Sequence, residues 1–110
     1  MPQRTATFES YEDWSALTPN GVKARFYQEC DSTNRLAAKV ALSEPDEKAL
    51  WIVAKEQTSG RGRRGRVWTS KSGNLYCSLL WKPSLTLSEV ASLPFLVALS
   101  VRDMLIELGV

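Results

Sequence analysis

Residues 50–68 read Leu50-Trp51-Ile52-Val53-Ala54-Lys55-Glu56-Gln57-Thr58-Ser59-Gly60-Arg61-Gly62-Arg63-Arg64-Gly65-Arg66-Val67-Trp68. The opening run, Leu50 to Ala54, is apolar, short and rich in strand formers, the pattern of a buried β-strand. A polar, glycine-rich loop follows, from Glu56 to about Gly73. Glycines at every second or third position let a backbone take positive φ and approach a ligand closely. Successive exposed N–H groups can form an anion-binding concavity, and arginine forks pair with carboxylate or phosphate. A loop with both features suits a ligand carrying phosphates and a carboxylate. Two other readings stand beside it, an Arg-Gly segment on RNA and a solvated charged surface. The strand in front, and Trp68 with a second strand behind, favour the ligand cradle, because a disordered RNA-binding tail is not anchored at both ends.

Working outward, Asn74 to Trp81 alternates as a strand and is closed by Pro83. Upstream, Val22 to Glu29 also alternates, with Val22, Ala24 and Phe26 sharing one face. Asp31-Ser32-Thr33-Asn34 is a cluster of helix-capping residues, and Leu36, Ala37, Val40 and Ala41 recur behind it at helical spacing until Pro45. Residues Phe8 to Leu17 are expected to form a short helix capped by Ser10 and stopped by Pro19-Asn20-Gly21. From Ser88 to Leu108 the period is helical, with Leu93, Val97, Val101, Met104, Leu105 and Leu108 on one stripe. Pro94 should either kink that helix or sit in the first turn of a new one. The order α-β-α-β-loop-β-α gives a mixed α/β domain. So few strands lead to the expectation of unfilled sheet edges.

The 110 residues suffice for one domain, and 44% hydrophobic with 24% charged residues is ordinary globular composition. The net charge of +2 makes no whole-protein case for nucleic acid or a membrane surface. Four of the fourteen basic residues nevertheless sit between Arg61 and Arg66. There is no histidine, and Cys30 and Cys77 lie far apart, so no metal site is expected. Cys77, on an apolar strand, is expected to be an inert core thiol. No apolar stretch approaches the ~20 residues of a membrane span, and Met1 to Ser10 lacks a signal-peptide core. A cytoplasmic location with reduced thiols is the expectation.

The segment from Ala54 to Trp68 resembles the signature loop of biotin–protein ligases. Asp31-Ser32-Thr33-Asn34 upstream and Gly73-Asn74-Leu75-Tyr76-Cys77-Ser78 downstream agree with that family in order and spacing. The likeness runs from about Phe26 to the carboxyl end. It implies an α/β fold, a mixed α+β sheet with flanking helices of the class II aminoacyl-tRNA-synthetase-like, biotin–lipoate ligase type, here incomplete. It also implies biotin and ATP as substrates with Mg2+, biotinyl-5′-AMP as intermediate, and a biotin carboxyl carrier domain of acetyl-CoA carboxylase or a related carboxylase as partner. By resemblance, Ser32, Thr33, Asn34, Gln57, Gly60, Arg61, Gly62 and Arg63 belong to the biotin side. Arg61, Arg63, Arg64, Arg66 and Trp68 belong to the ATP and adenylate side, on a loop that orders when ligand arrives.

Taken singly, these residues have plainer readings. Ser32 or Thr33 could cap the helix behind them, Asn34 could be a first-turn structural residue, and Gln57 a surface amide. Trp68 and Tyr76 could pack as core or strand aromatics. The family's lysine, in a Lys-Trp-Pro-Asn-Asp segment, has no counterpart in this sequence, so no catalytic residue is assigned. The expectation is therefore the amino-terminal half of such a catalytic domain (residues 1–110), with neither a DNA-binding domain nor the carboxyl-terminal half, and with little or no activity alone. A lipoate–protein ligase relative, a nucleic-acid-binding module and a non-catalytic biotin-binding paralogue remain as alternatives.

Overall fold

The computed structural model describes residues 10–110. The sheet is four-stranded and mixed, built from β1 (Glu12–Asp13), β2 (Lys23–Cys30), β3 (Ala49–Gln57) and β4 (Tyr76–Trp81), in that spatial order. Strand β2 runs parallel to β3, with Arg25 opposite Ile52 and Tyr27 opposite Ala54. Strand β4 returns antiparallel, with Leu50 opposite Leu80 and Ile52 opposite Ser78. Helix α1 (Thr33–Ser43) makes the crossover between the parallel strands, as parallel pairing requires. Helix α2 (Leu87–Glu107) follows β4. No described helix is long and apolar enough to cross a membrane.

The core lies between α1 and one face of the sheet. Leu36, Ala37 and Val40 from α1 meet Tyr27, Leu50, Ile52, Ala54 and Leu80, all buried. Alternation explains the sheet side, because Leu50, Ile52 and Ala54 stand two apart on β3 and point the same way. Tyr27, at 2% exposure, comes from the β2 face opposite to the one carrying Ala24 and Phe26. Both faces of β2 therefore bury side chains, which a single-stripe reading of the strand does not anticipate. Arg25 anchors the far end of α1 through a two-pronged pair with Glu44, at 2.7 and 3.2 Å. Lys82 Nζ donates to the Ala41 carbonyl at 3.0 Å, satisfying one of the orphan carbonyls of the last turn.

Three sequence expectations change, and that for Pro94 is narrowed. The helix over Phe8 to Leu17 is not formed where residues are described; its first two positions, Phe8 and Glu9, lie outside the described residues. Glu12 and Asp13 instead pair antiparallel with Phe26 and Arg25, and only Ser15–Leu17 makes a 3-10 turn. The reason is tertiary: the Trp14 indole stacks flat on Phe26, with centroids 4.2 Å apart, while the Trp14 backbone N–H donates to the Ala24 carbonyl. Strand β3 runs on to Gln57, three residues past Ala54, because Glu56 and Gln57 keep pairing with Glu29 and Cys30. Pro94 neither opens a new helix nor ends the old one, since α2 passes through it as one element from a Thr86–Glu89 capping box. Cys77 is exposed on β4, while Cys30 is the buried thiol. The expected open edge is present, as β4 has no second strand neighbour among the described residues.

Candidate functional site

Helix α1 begins where β2 ends, and its first turn faces the end of β3. Ser32 is the N-cap, its Oγ accepting from the Arg35 N–H at 3.3 Å. Thr33 follows in the first turn, and both side chains are nearly buried. The Thr33 N–H, one of the orphan donors of a helix start, donates to Gln57 Oε1 at 2.8 Å. Its hydroxyl lies 2.9 Å from that of Ser78 on β4. Gln57 Nε2 in turn donates to Ser70 Oγ at 3.0 Å. Two backbone bonds close the floor, from Thr58 N–H to the Cys30 carbonyl and from Ser59 N–H to that of Asp31. Residues 24 and 45 positions apart in sequence thus form one polar node. Asn34 is exposed and takes no part in it.

From this floor the glycine-arginine segment rises as a hairpin. Gln57 bridges Ser70 and Arg61 bridges Val67, and the Trp68 N–H donates to the Gly60 carbonyl at 2.9 Å. A single 3-10 turn, Arg63–Gly65, makes the tip. Positive φ falls on Arg64 (60°) and Gly65 (73°), whereas Gly62 is extended at −96°. Gly60 serves differently: a Cβ there would run into Ser70 Oγ and fall 2.6 Å from the Trp68 carbonyl oxygen. The two stems approach so closely that no other residue fits without movement.

Gly62, Arg63, Arg64, Arg66, Val67 and Trp68 line a concavity of about 570 Å³ on this hairpin. Trp68 is exposed beside it rather than packed in the core. No ion pair among the described residues involves Arg61, Arg63, Arg64 or Arg66. Their charges are therefore uncommitted, an arrangement ready for an anion. Arg61 sits at the junction, off the concavity, with its guanidinium turned back to the Gly60 carbonyl at 3.3 Å. The structure thus gathers Ser32, Thr33, Gln57 and Gly60 at the floor, and Gly62, Arg63, Arg64, Arg66 and Trp68 around the tip. Among the described residues, no three His, Cys, Asp or Glu side chains converge as a metal site.

Sequence reasoning assigned no role to Ser70 or Ser78, although both touch the node. Ser78 was within reach, because it closes the third matching segment and alternates onto the α1 face of β4. Ser70 carries no local signal. Its partner Gln57 is 13 residues away, and only the hairpin brings them together.

The sequence pattern of the biotin/lipoate A/B protein ligase family matches residues 26–109. The chain is 40% identical, over 68% of its length, to a biotin–[acetyl-CoA-carboxylase] ligase of Paracoccus denitrificans, covering 30% of that protein. It is 36% identical, over 69% of its length, to the bifunctional ligase/repressor BirA of Bacillus subtilis, covering 23% of it. Among solved structures, a biotin protein ligase of Leishmania major in complex with biotinyl-5-AMP superposes with a TM-score of 0.66 at 36% identity. That match covers 83% of this chain and 36% of the other. The same enzyme in complex with biotin gives the same TM-score. The chain spans less than a third of the length of these curated relatives.

Proposed function

Since the chain belongs to the biotin/lipoate A/B protein ligase family, we propose that it forms the biotin-reading and phosphate-facing part of a biotin–protein ligase site. In that reaction a biotin carboxylate oxygen attacks the α-phosphorus of ATP, pyrophosphate leaves, and biotinyl-5′-AMP forms. A lysine amine of a biotin carboxyl carrier domain, in acetyl-CoA carboxylase or a related carboxylase, then attacks the acyl carbon and releases AMP. A cytoplasmic setting, without DNA, is part of the same proposal.

The observation that carries this reading is the unspent hydrogen-bonding capacity of the polar node directly beneath an uncommitted arginine hairpin. A ureido ring offers two N–H donors and one strong carbonyl acceptor. Ser32 Oγ accepts once and still has a proton to give. Of the Thr33 and Ser78 hydroxyls, one donates to the other and the second proton stays available. Gln57 keeps one amide N–H and one carbonyl lone pair. The free protons can meet the ureido carbonyl, and the Gln57 carbonyl with a hydroxyl lone pair can meet its two N–H groups. Arg63, Arg64 and Arg66 meet the other end of the ligand, where negative charge builds on phosphate oxygens. Asn34, exposed in the first turn of α1, stays on the biotin side of the proposal. In this proposal Mg2+ accompanies the nucleotide, on its phosphates. The chain's own residues bind, orient and screen from water; none is assigned as catalytic.

The test is equilibrium binding of biotin, biotinyl-5′-AMP and free lipoate to the whole chain. Biotin should bind without competition from lipoate. Arg63→Ala with Arg66→Ala should weaken biotinyl-5′-AMP by about tenfold or more and biotin far less, since charge-assisted bonds contribute roughly 1.5–3 kcal/mol each. Displacement of biotin by lipoate would redirect the assignment within the family. Binding of single-stranded RNA with a steep salt dependence, and no biotin affinity, would overturn it.

A further inference from the structure

Ser70 is the most buried hydroxyl of the site, at 3% exposure, and no role has been given to it so far. Its backbone and side chain both hold Gln57: the Gln57 N–H donates to the Ser70 carbonyl at 2.9 Å, and Nε2 donates to Oγ at 3.0 Å. The Ser70 hydroxyl proton points elsewhere, to the Trp68 carbonyl at 3.3 Å. Trp68 is the residue whose N–H pairs with Gly60 across the hairpin stems. The space over Gly60, where a Cβ would stand, is filled by Ser70 Oγ and the Trp68 carbonyl.

These bonds have a direction. An amide rotates about a broad, roughly two-fold torsion, so it needs a partner at each end to be held: the Thr33 N–H, a donor, calls for the Gln57 oxygen. The Trp68 carbonyl takes the Ser70 proton, which leaves Ser70 Oγ as an acceptor. Oγ then holds the Gln57 nitrogen, so the amide is pinned at both ends, its oxygen by the Thr33 N–H and its nitrogen by Ser70. We infer that Ser70 is a positioning residue, which pins the amide nitrogen of Gln57 and ties that side chain to the closed stems of the arginine hairpin. Biotin's ureido group meets a preset amide only while the hairpin base is closed. This inference rests on the biotin reading above for its ligand, but not for its relay.

The experiment uses the whole chain with three variants, Ser70→Ala, Ser70→Cys and Gln57→Ala. Side-chain amide NMR of Gln57 is recorded without ligand, and the biotin Kd is measured. Ser70→Ala should shift the Gln57 side-chain resonances, speed their exchange, and raise the biotin Kd about tenfold, as expected for a buried amide left with one partner fewer. Ser70→Cys keeps the size but bonds weakly, and should behave as Ser70→Ala does. Adding Ser70→Ala to Gln57→Ala should cost no further affinity, because the relay has lost its target. If Ser70→Cys matches the wild type while Ser70→Ala only lowers the melting temperature, Ser70 is packing and the inference is overturned. Unchanged Gln57 resonances in Ser70→Ala overturn it whether or not biotin binds. A wild-type chain without biotin affinity overturns the functional reading instead, and the ligand-free resonances still decide the relay.

Discussion

Helix α1 buries four of its eleven residues, whereas α2, with twenty-one, buries none. Sequence apolarity would rank them the other way. Helix α1 is mixed in composition, but Leu36, Ala37 and Val40 fall on one stripe and meet Leu50, Ile52 and Leu80. Helix α2 is apolar around its whole circumference, with Glu89, Arg102, Asp103 and Glu107 as its charges, and Phe95, Leu96, Val97 and Leu99 are more than half exposed. It borders a groove of about 680 Å³ whose other wall is Trp51, Leu79 and Trp81, on the sheet face opposite α1. What a helix could bury follows from its composition. What it does bury depends on a partner in matching position. The chemistry follows the same division, since the polar node grows from the packed helix, where a buried N-terminus must find partners for its N–H groups.

The contrast breaks or sharpens most clearly in the core. Leu50→Ala removes a side chain that is 0% exposed, and should cost ~2–5 kcal/mol in denaturant unfolding. Leu99→Ala, at 55% exposure on α2, should stay within ~0.5 kcal/mol. Equal costs would mean that α2 is covered in solution and that the contrast between the helices is false.

A second probe uses the two thiols. Burial, helped by the charges of Asp31 and Glu29, pushes the Cys30 thiol up to about 11. The folded chain therefore keeps that proton at pH values where the unfolded chain, near 9, has released it. The unfolded state then binds fewer protons, so stability falls as pH rises from about 9 to about 11 and levels off beyond. The full loss approaches ~3 kcal/mol, two units at 1.36 kcal/mol per unit. Unfolding of wild type and Cys30→Ala at pH 8.5 and 10.5 isolates it, because the other titrating groups are common to both chains. An equal decline in the two proteins would place Cys30 in contact with water, as Cys77 is.

A smaller effect than that of Cys30 is expected at the start of α2. Thr86 Oγ1 accepts from the Glu89 N–H at 3.3 Å while the Glu89 carboxylate accepts from the Thr86 N–H at 2.8 Å. The Thr86 N–H, together with the Thr86 hydroxyl donating at 3.0 Å, holds the Glu89 carboxyl below its ordinary range. Thr86→Ala should weaken the first turn by about 1 kcal/mol. Amide exchange should quicken there several-fold while the melting temperature stays put, because α2 contributes little to the core. A drop in melting temperature would show that the two helices unfold as one unit.

Much of the candidate site was legible because its signals are local. Glycines and arginines at close spacing announce an anion-binding loop, and Asp31-Ser32-Thr33-Asn34 announces a helix start, whatever the rest of the chain does. The element order from Lys23 onward followed from period and punctuation in the same way. The helix expected over Phe8 to Leu17 did not form in its described part, because a pattern of spacing carries no information about Phe26, on which Trp14 stacks. Cys77 was misplaced for a related reason: alternation along β4 puts Leu80 and Cys77 on opposite faces, and only the position of α1 decides which face is covered. Ser70 was silent because its meaning lies in a contact 13 residues away.

From Lys23 onward, the sequence by itself determined the local chemistry of this protein: which segments are strands, where helices start, and which loop carries clustered positive charge. Hydrophobic period, capping residues and glycine spacing act over a few residues and need no partner. The tertiary structure decided which apolar face was buried, how far β3 ran, and that Thr33, Gln57, Ser70 and Ser78 share one node. Those outcomes depend on contacts between distant residues, whose free energy exists only once the chain has closed the loops between them.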